Sequence, residues 1–160
     1  MKKEAKIFLL KIFISSFLLG YVWFAYAQNL YPHFLSPVAV PFFKLVGVTK
    51  WRLSLLLDHF TNLIPYIALV ISTPDLIRNW KKSTMAFFGG LLILMICHLL
   101  LSWLDFYFWS QYQMSKSFFK SIFHFYLIND ILPLALWLLF YPTILPQLFD
   151  FLKFGKKEEK

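Results

Sequence analysis

Four long apolar runs alternate with short polar or basic stretches along this chain. They cover residues 7–26, 51–72, 85–108 and 122–145. Each is close to the ~20 residues that a helix needs to cross ~30 Å of hydrocarbon. The weak ten-residue alternation of a membrane β-barrel is not present. The pattern therefore predicts an all-α integral membrane protein, a bundle of four transmembrane helices in a single domain spanning residues 1–160.

The stretch 28–50 breaks the pattern. It carries Pro32, Pro37 and Pro41 among Phe34, Leu35, Val38, Val40, Phe42 and Phe43. Proline removes a backbone donor and crowds the preceding turn, so a long regular helix is not expected here. Its apolar content argues against free solvation. The expectation is a short interfacial segment lying on the outer leaflet. Residues 109–121 form a polar and aromatic outer loop, and the charged tail 155–160 is expected to be disordered.

Composition supports the membrane class. The chain is 59% hydrophobic, 21% aromatic and 15% charged, with mean hydropathy +0.63, whereas soluble domains carry about 25% charged residues. The net charge is +8. The basic residues cluster at the ends of the apolar runs, which fits anionic lipid head groups and not nucleic acid. Cys97 stands alone, which excludes an intrachain disulfide and a CxxC motif. No cofactor is expected.

Lysine and arginine counts set the expected orientation. With the N-terminus inside, eleven basic residues fall on the cytoplasmic side: Lys2, Lys3, Lys6, Lys11, Arg78, Lys81, Lys82, Lys153, Lys156, Lys157 and Lys160. Five fall outside: Lys44, Lys50, Arg52, Lys116 and Lys120. Both termini are thus expected in the cytoplasm, and the protein in the inner (cytoplasmic) membrane as a multi-pass chain. A second reading makes residues 1–27 a signal peptide cleaved after Ala25-Tyr26-Ala27. The aromatics Tyr21, Trp23, Phe24 and Tyr26 resemble an interfacial belt instead.

Three carboxylates lie within the apolar runs: Asp58, Asp105 and Asp130. A charge at the bilayer centre costs ~3 kcal/mol or more, so such residues usually face a bundle interior or a wet cavity. At 1.5 Å per residue, all three fall in the outer half. Arg52, His59, Asn62, His124 and Asn129 are at or near that level. Asp58 and Asn62 share one helix face; His98, Ser102 and Asp105 share another.

Three readings of this cluster stand side by side. It is polar glue between helices, a binding groove for a peptide or a partner's transmembrane helix, or a catalytic or metal site built from Asp58, His59, Asp105, His124 and Asp130. No His-Glu-x-x-His or Glu-x-x-His spacing supports the third. His98, Ser102 and Asp105 stack along one helix, whereas a Ser-His-Asp relay needs converging side chains. Cys97 lies among Ile96, Leu99 and Leu100, an inert setting for a thiol. Pro65 and Pro133 fall mid-run, and each is expected to free the carbonyl four residues earlier, at Thr61 and Asn129. Gly89-Gly90 permits close helix approach. Asn62-Leu-Ile-Pro65 resembles Asp130-Ile-Leu-Pro133, a hint of a parallel repeat.

The strings NLIPYIALVISTP (Asn62–Pro74) and LPLALWLLF (Leu132–Phe140) carry a family resemblance, together with the basic start and the Pro-rich segment after the first helix. The layout resembles the small accessory membrane proteins that accompany exosortases, bacterial enzymes of protein sorting. Those enzymes use a Cys, an Arg and a His at the outer face, and Cys97 lies too deep for that role. The resemblance therefore implies a non-catalytic companion. The expected function is an accessory or scaffold subunit that binds a membrane protein or peptide through Arg52, Asp58, His59, Asn62, Asp105, His124, Asn129 and Asp130. Membrane lipids are the other expected partner, with homo-oligomers possible. The alternative is a small transporter or channel component with an outer acidic vestibule.

Overall fold

The computed structural model describes residues 3–48, 57–74, 79–112, 116–144 and 146, and no strand occurs among them. The helices are α1 (Lys3–Val22), α2 (Gln28–Leu45), α3 (Leu63–Ser72), α4 (Trp80–Tyr112) and α5 (Lys116–Phe140). A π-helical turn, Trp23–Ala27, joins α1 to α2, and a 3-10 turn, Leu57–Asn62, leads into α3. Arg52 and the tail 155–160 lie outside the described residues, as do the side chains of Asp58 and His59.

Among the described residues, three helical stretches are long and apolar enough to cross a membrane: Lys6–Leu45, Trp80–Phe108 and Ile122–Phe140. Of the stretch expected as the second span, residues 51–56 lie outside the described residues. Its described apolar helical part is Phe60–Ser72, about 20 Å long at 1.5 Å per residue.

The Pro-rich segment differs from expectation. Residues 28–45 are helical and continue α1 through Pro32, Pro37 and Pro41. The π-helical turn helps to explain this, because the Gln28 N–H bonds back five residues to the Trp23 carbonyl. This wider turn lies just before Pro32 and absorbs the phase change that its ring demands. Pro37 and Pro41 lie on the exposed face, while Leu35, Ala39 and Phe43 are buried at four-residue spacing on the other. Membrane helices tolerate proline where neighbouring groups satisfy the freed carbonyls. The stretch Lys6–Leu45 has 40 residues. A straight helix of that length runs ~60 Å, twice the hydrocarbon thickness.

α1 packs along α3 and α4 packs along α5, with α3 also touching α4 and α5. The buried core includes Leu35, Phe43, Phe60, Tyr66, Leu94 and Trp137. The outside is as apolar as the inside. Phe13, Phe17 and Leu139 are each more than 70% exposed. A soluble monomer does not present such surface continuously; a bilayer accepts it.

Aromatic and basic side chains gather where α1 begins, α4 begins and α5 ends. Phe8 stacks on Trp137 at 5.9 Å. The Trp137 Nε1–H donates to Thr73 Oγ1 at 2.8 Å. Tyr141 donates to Ser83 Oγ at 3.2 Å, and Lys82 Nζ lies 5.3 Å from the Tyr141 ring centroid. Trp, Tyr and Lys anchor helices at a membrane–water boundary in this way.

Candidate functional site

Proline chemistry organises the polar interior. Pro133 lies inside α5 and has no N–H to give to the Asn129 carbonyl one turn earlier. That carbonyl instead accepts a 3.0 Å hydrogen bond from Asn62 Nδ2. Asn62 is the last residue of the 3-10 turn, so one side chain ties the start of α3 to the middle of α5. Pro65 acts differently from its expected role. It lies in the first turn of α3, where its missing donor interrupts no helix bond.

With its Nδ2 committed to a carbonyl, Asn62 turns Oδ1 toward α4. His98 Nε2 lies 2.8 Å from that oxygen. The oxygen can only accept, so Nε2 carries the proton. Nδ1 of the neutral ring is then an acceptor, and the Tyr31 hydroxyl of α2 donates to it at 2.7 Å. The result is a directed chain: Tyr31 to His98 to Asn62 to the Asn129 carbonyl. It connects α2, α4, the 3-10 turn and α5. His98 is fully buried, and Asn62 and Asn129 nearly so. Phe60 stacks on the imidazole at 4.5 Å, and Tyr31 meets it edge-on at 5.8 Å.

A second polar contact lies one to two turns further along α4. Tyr126 of α5 donates to Asp105 Oδ1 at 2.8 Å, and Asp105 is buried. Ser102 donates back to the His98 carbonyl at 2.7 Å. The stripe His98, Ser102 and Asp105 does face the bundle, but the serine hydroxyl bonds main chain and not the imidazole, so no relay is formed.

Asp105 and Asp130 do not converge on one opening. Asp105 points inward, whereas Asp130 and His124 are exposed on α5. Asn129 and Asp130 are neighbours about 100° apart around the helix, and the structure turns the amide in and the acid out. Among the described residues, no three His, Cys, Asp or Glu side chains are placed to hold a metal ion. Cys97 is half-buried and lines an apolar groove of about 280 Å³ between α4 and α5, beside Leu101, Phe125 and Ile128.

Of the residues expected at the site, Asn62 and Asn129 are joined directly. Asp105 is paired within the bundle, and His124 and Asp130 lie on its surface. Sequence reasoning left out Tyr31, His98, Phe60 and Tyr126 as members of the network. Tyr31, inside the Pro-rich segment 28–50, carries no signal once that segment is expected to lie flat on the membrane. The available clue was the lone His98 in an otherwise apolar run, which needs a partner.

The shared carbonyl can be tested. Pro133→Ala restores an N–H that competes with Asn62 for the Asn129 carbonyl. Asn62→Ala should then destabilise the bundle by about 1 kcal/mol less than in the parent. A double-mutant cycle on unfolding in detergent reads this directly, and strictly additive effects would show that the carbonyl is not shared.

Fold and site together define an α-helical membrane protein with a hydrogen-bonded interior. No protein-family model matches the sequence, and no curated protein or solved structure matches it either.

Proposed function

We propose that this chain is a non-catalytic accessory or scaffold subunit that docks another membrane protein. Asp130 is the observation that carries the reading. It lies one residue from the centre of the Ile122–Phe140 span, yet its side chain is exposed. Its exposed neighbours Leu127, Ile131 and Leu134 are those of a lipid-facing surface. An outward carboxylate at that depth costs ~3 kcal/mol or more in lipid. A protein partner over this surface removes that cost.

The interior network has a different role in this reading. It fixes the packing of α2, α4 and α5, so that the outer face of α5 is held rigid for docking. On the count of basic residues, the protein lies in the inner membrane, with both termini in the cytoplasm and the network in the outer half. The resemblance to exosortase companions gives one partner class, a polytopic enzyme of protein sorting.

Affinity purification from native membranes in mild detergent, with crosslinking and mass spectrometry, tests the reading. A stoichiometric membrane-protein partner is expected. Asp130→Asn should lower its recovery about tenfold while leaving insertion intact. Unchanged recovery contradicts the proposal.

A further inference from the structure

Among the exposed residues of α5, one stripe has a spacing that the docking reading does not by itself require. Lys120, Phe123, Leu127, Asp130 and Leu134 follow one another at intervals of three, four, three and four residues, and all five are exposed. Intervals of three and four keep side chains on one stripe of a helix and form the seam against which a second helix packs. Three members are large and apolar: Phe123 is 59% exposed, Leu127 47% and Leu134 48%. The fourth member, Asp130, is an acid at mid-span. Lys120 lies outside the Ile122–Phe140 span, so Asp130 is the one polar member of the seam within it, and a single polar residue in an apolar seam specifies partner and register.

We infer that this seam receives a transmembrane helix of a different protein, and that this helix carries a lysine or arginine at the level of Asp130. The inference rests on the docking reading and names the partner's chemistry. Charge complementarity selects the occupant. A carboxylate at the bilayer centre is best compensated by a cation that also donates hydrogen bonds to it. A second copy of this chain does not supply one. Copies in one membrane share an orientation, so a two-fold pair using this seam sets Asp130 against Asp130. The flanking Phe123, Leu127 and Leu134 exclude lipid and water from the pair and set its depth. Among the described residues, no cation pairs with Asp130.

The experiment uses the full chain in its native membrane. A photoreactive diazirine amino acid replaces Phe123, Leu127 or Leu134 in turn. Control positions are Ile128 and Leu139, which are 62% and 71% exposed but lie on another side of α5. Adducts are mapped by mass spectrometry. The expected result is an adduct from seam positions to a membrane-spanning segment of another protein, with a Lys or Arg within one turn of the level of Asp130. Asp130→Asn should reduce that adduct on the order of tenfold. Asp130→Lys should abolish it, and exchanging the partner's cation for Asp in that background should restore it.

A mapped span without Lys or Arg overturns this inference and leaves the docking reading intact. Adducts to a second copy, or to residues 49–56 of the same chain, which include Arg52, also overturn it. Equal adducts from seam and control positions, or lipid adducts alone, overturn both.

Discussion

Replacing Gly90 with alanine should destabilise the bundle by about 1–3 kcal/mol, whereas the same change at Gly89 should leave it unharmed. The two glycines are adjacent on α4 but meet different surroundings. Tyr66, fully buried on α3, lies against Gly90, and its hydroxyl donates to the Ala86 carbonyl one turn earlier on α4. A Cβ at Gly90 would overlap both the hydroxyl and the ring of Tyr66. The ring has to leave, because the other side of the contact is helix backbone. The variant then loses a buried hydrogen bond and strains the α3–α4 contact. Overpacking costs about 1–3 kcal/mol and the lost bond about 1 more, against ~1 kcal/mol gained from alanine's helix propensity. At Gly89 the nearest atom to an added Cβ is Phe140 Cζ at 3.5 Å, an ordinary contact. Thermal unfolding in detergent, followed by circular dichroism, separates the pair. Tyr66→Leu should rescue Gly90→Ala in part, since a smaller side chain vacates the overlap.

Asn62→Ala should be at least as damaging, at about 2–3 kcal/mol. It removes a residue that bonds on both sides. The His98 Nε2–H loses its acceptor, and the Asn129 carbonyl loses the donor that replaces the one Pro133 lacks. Each buried group left unsatisfied costs about 1–3 kcal/mol, reduced in membranes because the unfolded chain also finds partners. Tyr31→Phe removes only the terminal donor of the chain and should cost about 1 kcal/mol. The ordering, Asn62→Ala well above Tyr31→Phe, is specific to the directed chain. Nitrogen-15 NMR on labelled His98 provides an independent reading, with the proton on Nε2 in the parent. A proton on Nδ1 would reverse the direction of the chain.

The membrane class, the long apolar runs and the loosened Asn129 carbonyl were legible in the sequence, because each follows from local rules of length, hydropathy or missing N–H groups. The partner of that carbonyl was not. Asn62 and Asn129 are separated by 67 positions, and no local rule pairs them. Orientation was equally hidden. α4 and α5 are apolar nearly all round, so they have no amphipathic face to show which side is inward. Asn129 and Asp130 were therefore indistinguishable as inward or outward residues, although their roles are opposite. The helical path of Gln28–Leu45 went against expectation because three prolines count heavily in water. In an apolar setting, a π-helical turn before Pro32 and an outward face for Pro37 and Pro41 make the helix tolerable.

In the proposed function labour is divided: Asn62 and His98 hold the bundle together, and Asp130 is the residue proposed to face a partner. Native mass spectrometry of the purified complex, paired with thermal unfolding, tests this division most directly on Asp130→Asn and Asn62→Ala side by side. Asp130→Asn should lose the partner with the unfolding temperature unchanged. Asn62→Ala should unfold at a lower temperature while keeping the partner when cold. The opposite assignment, or both variants failing in both measurements, would contradict the proposal.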